Sequence, residues 1–219
     1  MKPGLLVIGL TGGIAMGKSR VARLLAGFGV SVFDADRAVH ALLGPRSPVA
    51  GAVEAAFPGT GDGRGGIDRR ALGARVFGDA PALRRLEAIL HPAVRCAERR
   101  FLGRLARQRF AMAALDIPLL LETGAESLCD CVVVVDAGPR LQKDRALARP
   151  GMSRARLAAI LAQQMPGPEK RKRADFVLRS GYDRGASAAA VARLLDRLDR
   201  WPRRAWPSAW SGSGASGPG

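Results

Sequence analysis

Residues 12–19 read Gly12-Gly13-Ile14-Ala15-Met16-Gly17-Lys18-Ser19, a match to the pattern G-x-x-x-x-G-K-[ST]. Just before it, Leu5–Leu10 is a short continuous apolar run, as a strand buried on both faces of a parallel sheet requires. Just after it, Val21, Leu24, Leu25 and Phe28 recur at helical spacing, and Gly29 closes the helix. Strand, glycine loop and helix in that order form the setting in which this pattern holds a polyphosphate. Successive backbone N–H groups must turn inward, so side chains cannot crowd the loop, and the helix N-terminus adds the positive end of its dipole. Lys18 is then placed to reach the β- and γ-phosphates of a nucleotide, and Ser19 to bind Mg²⁺.

Outward from this loop, strands and helices alternate. Val30–Phe33 predicts a second strand ending at Asp34-Ala35-Asp36, and Phe110–Ile117, Cys131–Asp136 and Asp175–Leu178 predict three more. Between residues 37 and 108 the pattern is mainly helical, near 37–43, 69–77 and 81–107, with a glycine-rich break at Gly59–Gly66. That is too long for a plain crossover and reads as a helical insertion. Arg140–Arg173 is helical and basic, interrupted by Pro150-Gly151 and Pro166-Gly167-Pro168. Ala186–Arg200 is an amphipathic helix. The fold class is α/β with a mostly parallel sheet of five strands. One domain is expected over residues 1–200, its core formed by about 1–36 and 109–200. The Pro/Ser/Gly/Trp-rich end, 201–219, is expected to be a disordered tail.

Composition narrows the function classes. The 219 residues carry 35 Lys+Arg against 19 Asp+Glu, a formal charge of +16, and 30 of the basic residues are Arg. Such a chain seeks anionic partners, although an Arg-, Ala- and Gly-heavy composition also produces solvated surface charge. Three cysteines and two histidines, without metal-ligand spacing, assemble no zinc set and predict reduced thiols in a cytoplasmic protein. No stretch reaches the 18 or so apolar residues a membrane helix needs, so a soluble protein is expected.

Five acidic or basic positions carry candidate chemistry, each with a plainer alternative. Asp36 lies just past a strand end, where α/β sheets gather ligands, and can accept the proton of an attacking hydroxyl or simply cap the next helix. Asp34 is either an indirect Mg²⁺ ligand or a strand-end polar group. Asp116 ends an apolar strand as a Mg²⁺-holding acid would, directly or through water, or as a polar cap. Arg145 and Arg149, four apart, share a helix face that either clamps phosphate or is solvated.

Ile8-Gly9-Leu10-Thr11-Gly12-Gly13-Ile14 resembles the opening of the dephospho-CoA kinase family, and six further stretches agree with it in order. They are Phe33–Asp36; Ile67–Leu72 with Leu86–Pro92; Asp116–Glu122; Gln142-x-x-Arg145-x-x-x-Arg149, which resembles that family's lid; and Ala174–Leu178. The resemblance spans about residues 5–198. It implies a three-layer P-loop fold with a helical substrate-binding insertion at about 37–108 and a lid at about 140–173. It further implies transfer of the ATP γ-phosphoryl group to the ribose 3′-hydroxyl of dephospho-CoA, with Mg²⁺ as cofactor. On that reading Asp36, Lys18 and Arg145 are catalytic; Gly12 to Ser19, Arg20 and Arg149 bind ATP; and Asp34, Arg69 and His91 lie on the substrate side. Ser19 and Asp116 serve the metal. The partners expected are these two small molecules, not nucleic acid or membrane, for a monomer or small homo-oligomer.

Two departures stand out. The family loop usually reads Gly-Ile-Gly-x-Gly-Lys-Ser-Thr, whereas Ala15 replaces the glycine at its third position here and Arg20 its threonine. If position 15 needs a positive φ, alanine costs roughly 1–2 kcal/mol there. Arg179-Ser180-Gly181 stands where the family often has Asp or Asn. The competing readings are another small-metabolite or nucleotide kinase, and a nucleic-acid-binding P-loop ATPase motivated by the charge and by Trp201, Trp206 and Trp210.

Overall fold

The structure, a computed structural model, describes residues 4–181 and 183–211. These divide into two compact units: one runs to Phe33 and resumes at Leu102, the other is Asp34–Phe101.

The first unit is built on a five-stranded sheet. Its strands are β1 (Leu6–Thr11), β2 (Ser31–Asp34), β3 (Met112–Asp116), β4 (Cys131–Asp136) and β5 (Phe176–Arg179), in the order β2-β3-β1-β4-β5. β1 pairs in parallel with both β3 and β4, and β4 in parallel with β5. The carboxyl ends of these four strands therefore share one edge, and β1, where the connections change direction, opens at the centre of that edge. The continuous apolar runs follow from burial on both faces. In β4, Val133 and Val135 join Leu6, Ile8 and Leu10 under α1 (Lys18–Gly27) and α9 (Arg184–Leu198). Val132 and Val134, pointing the other way, pack with Leu120, Leu121 and Ala125. Each such side chain contributes roughly 1.5–3 kcal/mol on burial, so the strand ends form a stiff platform.

The basic segment after β4 forms three helices, α6 (Pro139–Leu147), α7 (Arg154–Ala162) and α8 (Gly167–Lys172), separated at the two proline-glycine breaks. Helix α6 stops at Leu147, so Arg149 lies beyond its end and does not share a helix face with Arg145. Pro150 explains the stop, because a proline disfavours helical backbone at the residue before it.

The end of the chain corrects an expectation. Residues 201–211, expected to be without structure, fold back onto the amino-terminal edge of the sheet, while 212–219 lie outside the described residues. Trp210 is fully buried and donates from Nε1 to the Leu128 carbonyl at 3.0 Å. Trp201 donates to the Asp130 carbonyl at 2.9 Å and packs on Phe176, ring centroids 5.0 Å apart. Three buried or half-buried indoles outweigh the Pro/Ser/Gly content that suggested disorder.

The second unit holds α2 (Ala35–Leu42), α3 (Pro48–Ala56), α4 (Arg69–Val76) and most of α5 (Ala80–Arg107). Leu43, Ala50, Val53, Phe57, Ile67, Leu72, Leu86 and Leu90 form its core. Helix α3 was not expected, yet its start carries a standard signal: Ser47 caps Val49 N–H and Pro48 takes the first turn. In the glycine-rich connection Asp62 accepts from Arg64 and Gly66 N–H, and those two donors hold its carboxyl below the usual range. All three cysteines are free thiols. Among the described residues no helix is long and apolar enough to cross a membrane, and no cluster of three or more His, Cys, Asp or Glu residues could hold a metal.

Candidate active site

The glycine loop leaves β1 at Thr11, whose buried hydroxyl donates to the Pro118 carbonyl at 2.9 Å and ties the ends of β1 and β3 together. Two residues of the loop are left-handed: Ala15 at φ 61° and Gly17 at φ 89°. Gly17 sits there without strain, whereas the Ala15 Cβ meets the cost foreseen for this position. The Ala15 methyl does not point into an empty loop. It packs with Ala146 and Leu157, joined by Ile14, Leu147 and Met152, so apolar contact with α6 and α7 offsets part of that strain.

Lys18 begins α1, and its ammonium forms an ion pair with Asp116 at the end of β3. Asp116 is 4% exposed, and the Lys18 ammonium offsets part of the cost of burying its carboxylate. Ser19 is exposed in the first turn of α1. Arg20, which follows it, has a buried Nη2 with no hydrogen-bond partner among the described residues.

Arg145 reaches from α6 to the loop between β5 and α9. It donates from Nη1 to the Ser180 carbonyl at 3.1 Å and hydroxyl at 3.2 Å, and from Nη2 to the Gly181 carbonyl at 3.0 Å. The Ser180 hydroxyl in turn donates to the Met16 carbonyl. A Cβ on Gly17 would stand 3.4 Å from Arg145 Nη1, so this guanidinium lies directly against the glycine loop. Ser180 and Gly181, where the resembling family often carries Asp or Asn, thus brace the arginine. Arg149 is exposed in the turn after α6.

In the second unit, Asp34 caps α2, accepting from Arg37 N–H at 2.9 Å. The capping role weighed for Asp36 therefore belongs to Asp34. Asp36 is exposed in the first turn of α2, with no hydrogen bond or ion pair to its carboxylate among the described residues. Arg69 is the first residue of α4, exposed, after the capping Asp68. His91 is exposed in the middle of α5, which runs on through Pro92.

Some of the site's framework had no assigned role at the sequence level. Glu122 pairs with the buried Lys170 at 2.8 Å and accepts from Met165 N–H at 2.8 Å, fixing the connection between α7 and α8 to the sheet. Gln142 and Gln164 both hydrogen-bond the backbone of Ile14, at 3.0 Å each. A cavity of about 260 Å³ beside them is lined by Gly13, Met16, Asp136, Gln142, Gln164 and Lys170 among others. No local spacing announces these contacts, because the partners lie 43 to 150 residues apart.

A dephospho-CoA kinase family model matches residues 6–183. A dephospho-CoA kinase of Rhodospirillum rubrum is 55% identical over 202 residues, covering 90% of this chain and 96% of that one. One of Mesorhizobium japonicum is 51% identical over 195 residues, covering 89% and 97%. Among solved structures, TT1252 from Thermus thermophilus superposes with a TM-score of 0.76 at 36% identity, covering 90% of this chain and 99% of that one. Dephospho-CoA kinase from Campylobacter jejuni superposes at 0.59 with 24% identity, covering 89% and 97%, a likeness of fold. The glycine loop on a central parallel strand, the lysine at its mouth and these matches agree: the chain belongs to the dephospho-CoA kinase family, ATP-dependent kinases with the P-loop kinase fold.

Proposed function

We propose that this protein transfers the γ-phosphoryl group of ATP to the ribose 3′-hydroxyl of dephospho-CoA, giving CoA and ADP, the last step of coenzyme A biosynthesis, in the cytoplasm. The observation that carries the reading is the Lys18–Asp116 pair at the mouth of the glycine loop, in a chain matched to this family over residues 6–183. The 3′-hydroxyl oxygen bonds to the γ-phosphorus, and the bond from that phosphorus to the β–γ bridging oxygen breaks. ADP leaves with the electron pair, and Asp36 takes the hydroxyl proton. An exposed carboxylate not engaged as the helix cap is suited to this task.

The rest is positioning and charge neutralisation, which phosphoryl transfer demands above all. Gly12 to Ser19 wrap the polyphosphate, and Lys18 turns from Asp116 toward the β- and γ-phosphates. Arg145, fixed at the loop, supplies a planar cation to the transferring group, with Arg20 and Arg149 nearby in sequence as further ATP contacts. Asp34, Arg69 and His91 serve the coenzyme side. The Ser19 hydroxyl and the Asp116 carboxylate are hard oxygen donors of the kind Mg²⁺ takes, and are the groups that would hold it. Bound there, Mg²⁺ would draw charge from the β- and γ-phosphate oxygens.

The test is turnover by the purified protein with Mg²⁺, ATP and dephospho-CoA, following ADP and CoA together. A parallel panel of adenosine, nucleoside monophosphates and sugars addresses the other small-molecule kinases. Added DNA or RNA addresses a nucleic-acid-stimulated ATPase. Phosphorylation confined to dephospho-CoA is expected. No turnover, or faster turnover of another acceptor, would overturn the reading.

A further inference from the structure

The tip of the glycine loop is gripped by the lid segment. Ile14 donates its N–H to Gln164 Oε1 at 3.0 Å and receives, on its own carbonyl, the Gln142 Nε2 donor at 3.0 Å. Both polar groups of one peptide-forming residue are thus taken by side chains from the basic helical segment, Gln142 on α6 and Gln164 just past α7. The amide orientations are forced. A backbone N–H accepts nothing and a carbonyl donates nothing, so position 164 must present oxygen and position 142 nitrogen.

Three further observations belong to the same grip. A Cβ built on Gly13 would stand 3.0 Å from Gln142 Nε2 and 3.4 Å from Gln164 Oε1, so the bare glycine is what lets both amides close on the loop. The Ile14 and Ala15 side chains pack with Ala146 and Leu157 of the same helices. Gln164 is itself held, because its neighbour Met165 donates to Glu122 at 2.8 Å, and Glu122 is paired with the buried Lys170.

We propose that Gln142 and Gln164 are positioning residues, a pair of amide tongs that hold the Ile14 peptide groups outward so that the rest of the loop faces ATP. The Ile14 N–H is thereby withdrawn from the set of phosphate donors, and loop geometry, hence ATP affinity, is set by the lid segment. This rests on the loop being an ATP site, as proposed above. Neither glutamine touches the transferring phosphoryl group, so kcat at saturating ATP and KM for dephospho-CoA should stay within about twofold.

The sense of the two hydrogen bonds supplies the test. Gln164→Glu keeps an acceptor for Ile14 N–H, whereas Gln142→Glu sets a carboxylate against the Ile14 carbonyl. Both add the same charge near the loop, so repulsion of ATP is common to both and the difference reports hydrogen-bond sense. Direct ATP binding, read by calorimetry on the full chain without dephospho-CoA, should be at least about tenfold weaker for Gln142→Glu than for Gln164→Glu. The neutral Gln164→Leu should weaken it about five- to tenfold relative to wild type, with Gln164→Glu less affected. Thermal unfolding of each variant establishes that it is folded. Equal effects of the two Glu substitutions, or a fall in kcat in place of a rise in KM for ATP, would overturn the tongs. Wild-type protein that binds ATP but does not phosphorylate dephospho-CoA would sink the proposed reaction and leave the tongs standing. Wild-type protein that binds no ATP would sink both.

Discussion

The two ends of the sheet in the first unit use the same residue type in opposite ways. At the amino edge, Asp130 accepts from the backbone N–H groups of Val7, at 2.7 Å, of Ala205, at 2.7 Å, and of Arg204, while Asp175 accepts from Val132 N–H at 2.8 Å. At the carboxyl edge, Asp116 faces the Lys18 ammonium, and Asp136 faces Arg171 at 3.4 Å and Arg179 at 3.7 Å while also accepting from Gly138 N–H at 3.3 Å. A backbone N–H leaves its acceptor only if the chain moves, so the amino-edge carboxylates are part of the fold. A side-chain cation swings away on a flexible stem, so the Lys18 ammonium can leave Asp116 for an incoming phosphate. The difference separates structure from chemistry more sharply than residue identity does.

The contrast breaks most readily at Asp34, which ends β2, and Asp36, two residues further on. Asp36→Asn should lower kcat by about 10²–10⁴-fold with ATP binding and thermal stability nearly unchanged, the scale of a lost general base. Asp34→Ala should instead cost about 1 kcal/mol in chemical denaturation as the α2 cap is lost, with any kinetic effect falling on KM for dephospho-CoA and not on kcat. A normal rate for Asp36→Asn would remove that residue from the mechanism.

Next in size is the amino edge. Asp130→Ala strands three backbone donors at once, and water can reach only some of them, so a loss of about 2–4 kcal/mol is expected in urea unfolding. KM values and kcat of the folded variant should match wild type. A loss of activity without a loss of stability would mean that this end of the sheet is coupled to the reaction. Smaller again is Ala15→Gly, which removes left-handed strain but also the methyl packed on Ala146 and Leu157. A gain of about 0.5–1 kcal/mol is expected. A loss would mean that contact with α6 and α7 outweighs the backbone cost.

What the sequence made legible follows the same division. The apolar runs of β1, β3 and β4 stood out because these strands are buried on both faces, and the loop stood out because backbone geometry restricts its residue types. The sequence suggested capping for Asp36 and not for Asp34, since either carboxylate can cap α2 and only the Arg37 N–H contact assigns the cap to Asp34. The grip of Gln142 and Gln164 on Ile14 had no local signature, its partners being 128 and 150 residues away. The terminal tryptophans misled for a related reason. Composition between residues 201 and 211 is that of a loose tail, and its order comes from Asp130 and Leu128, some 70 to 80 residues earlier.

The smallest effect expected at neutral pH tests the amino edge by titration. Cys131 opens β4 next to Asp130 and is 2% exposed. Burial, with lesser help from the charges of Asp175 and Asp130, pushes its thiol up from 9.0 to about 12. A thiolate forms readily in the unfolded chain above pH 9 but not in the folded one, so between pH 9 and about 12 the native state binds more protons. Stability must then fall as pH rises through that window, by up to about 1.4 kcal/mol per pH unit, and be unaffected below it. Cys131→Ala leaves a small cavity whose cost does not depend on pH, so only the slope matters. Unfolding free energies of the variant should decline less steeply than wild type from pH 9 upward and run parallel to it from pH 6 to 8. Parallel curves throughout would mean that the Cys131 thiol ionises as easily in the fold as out of it. The amino edge would then be wetter than its backbone-filled carboxylates imply.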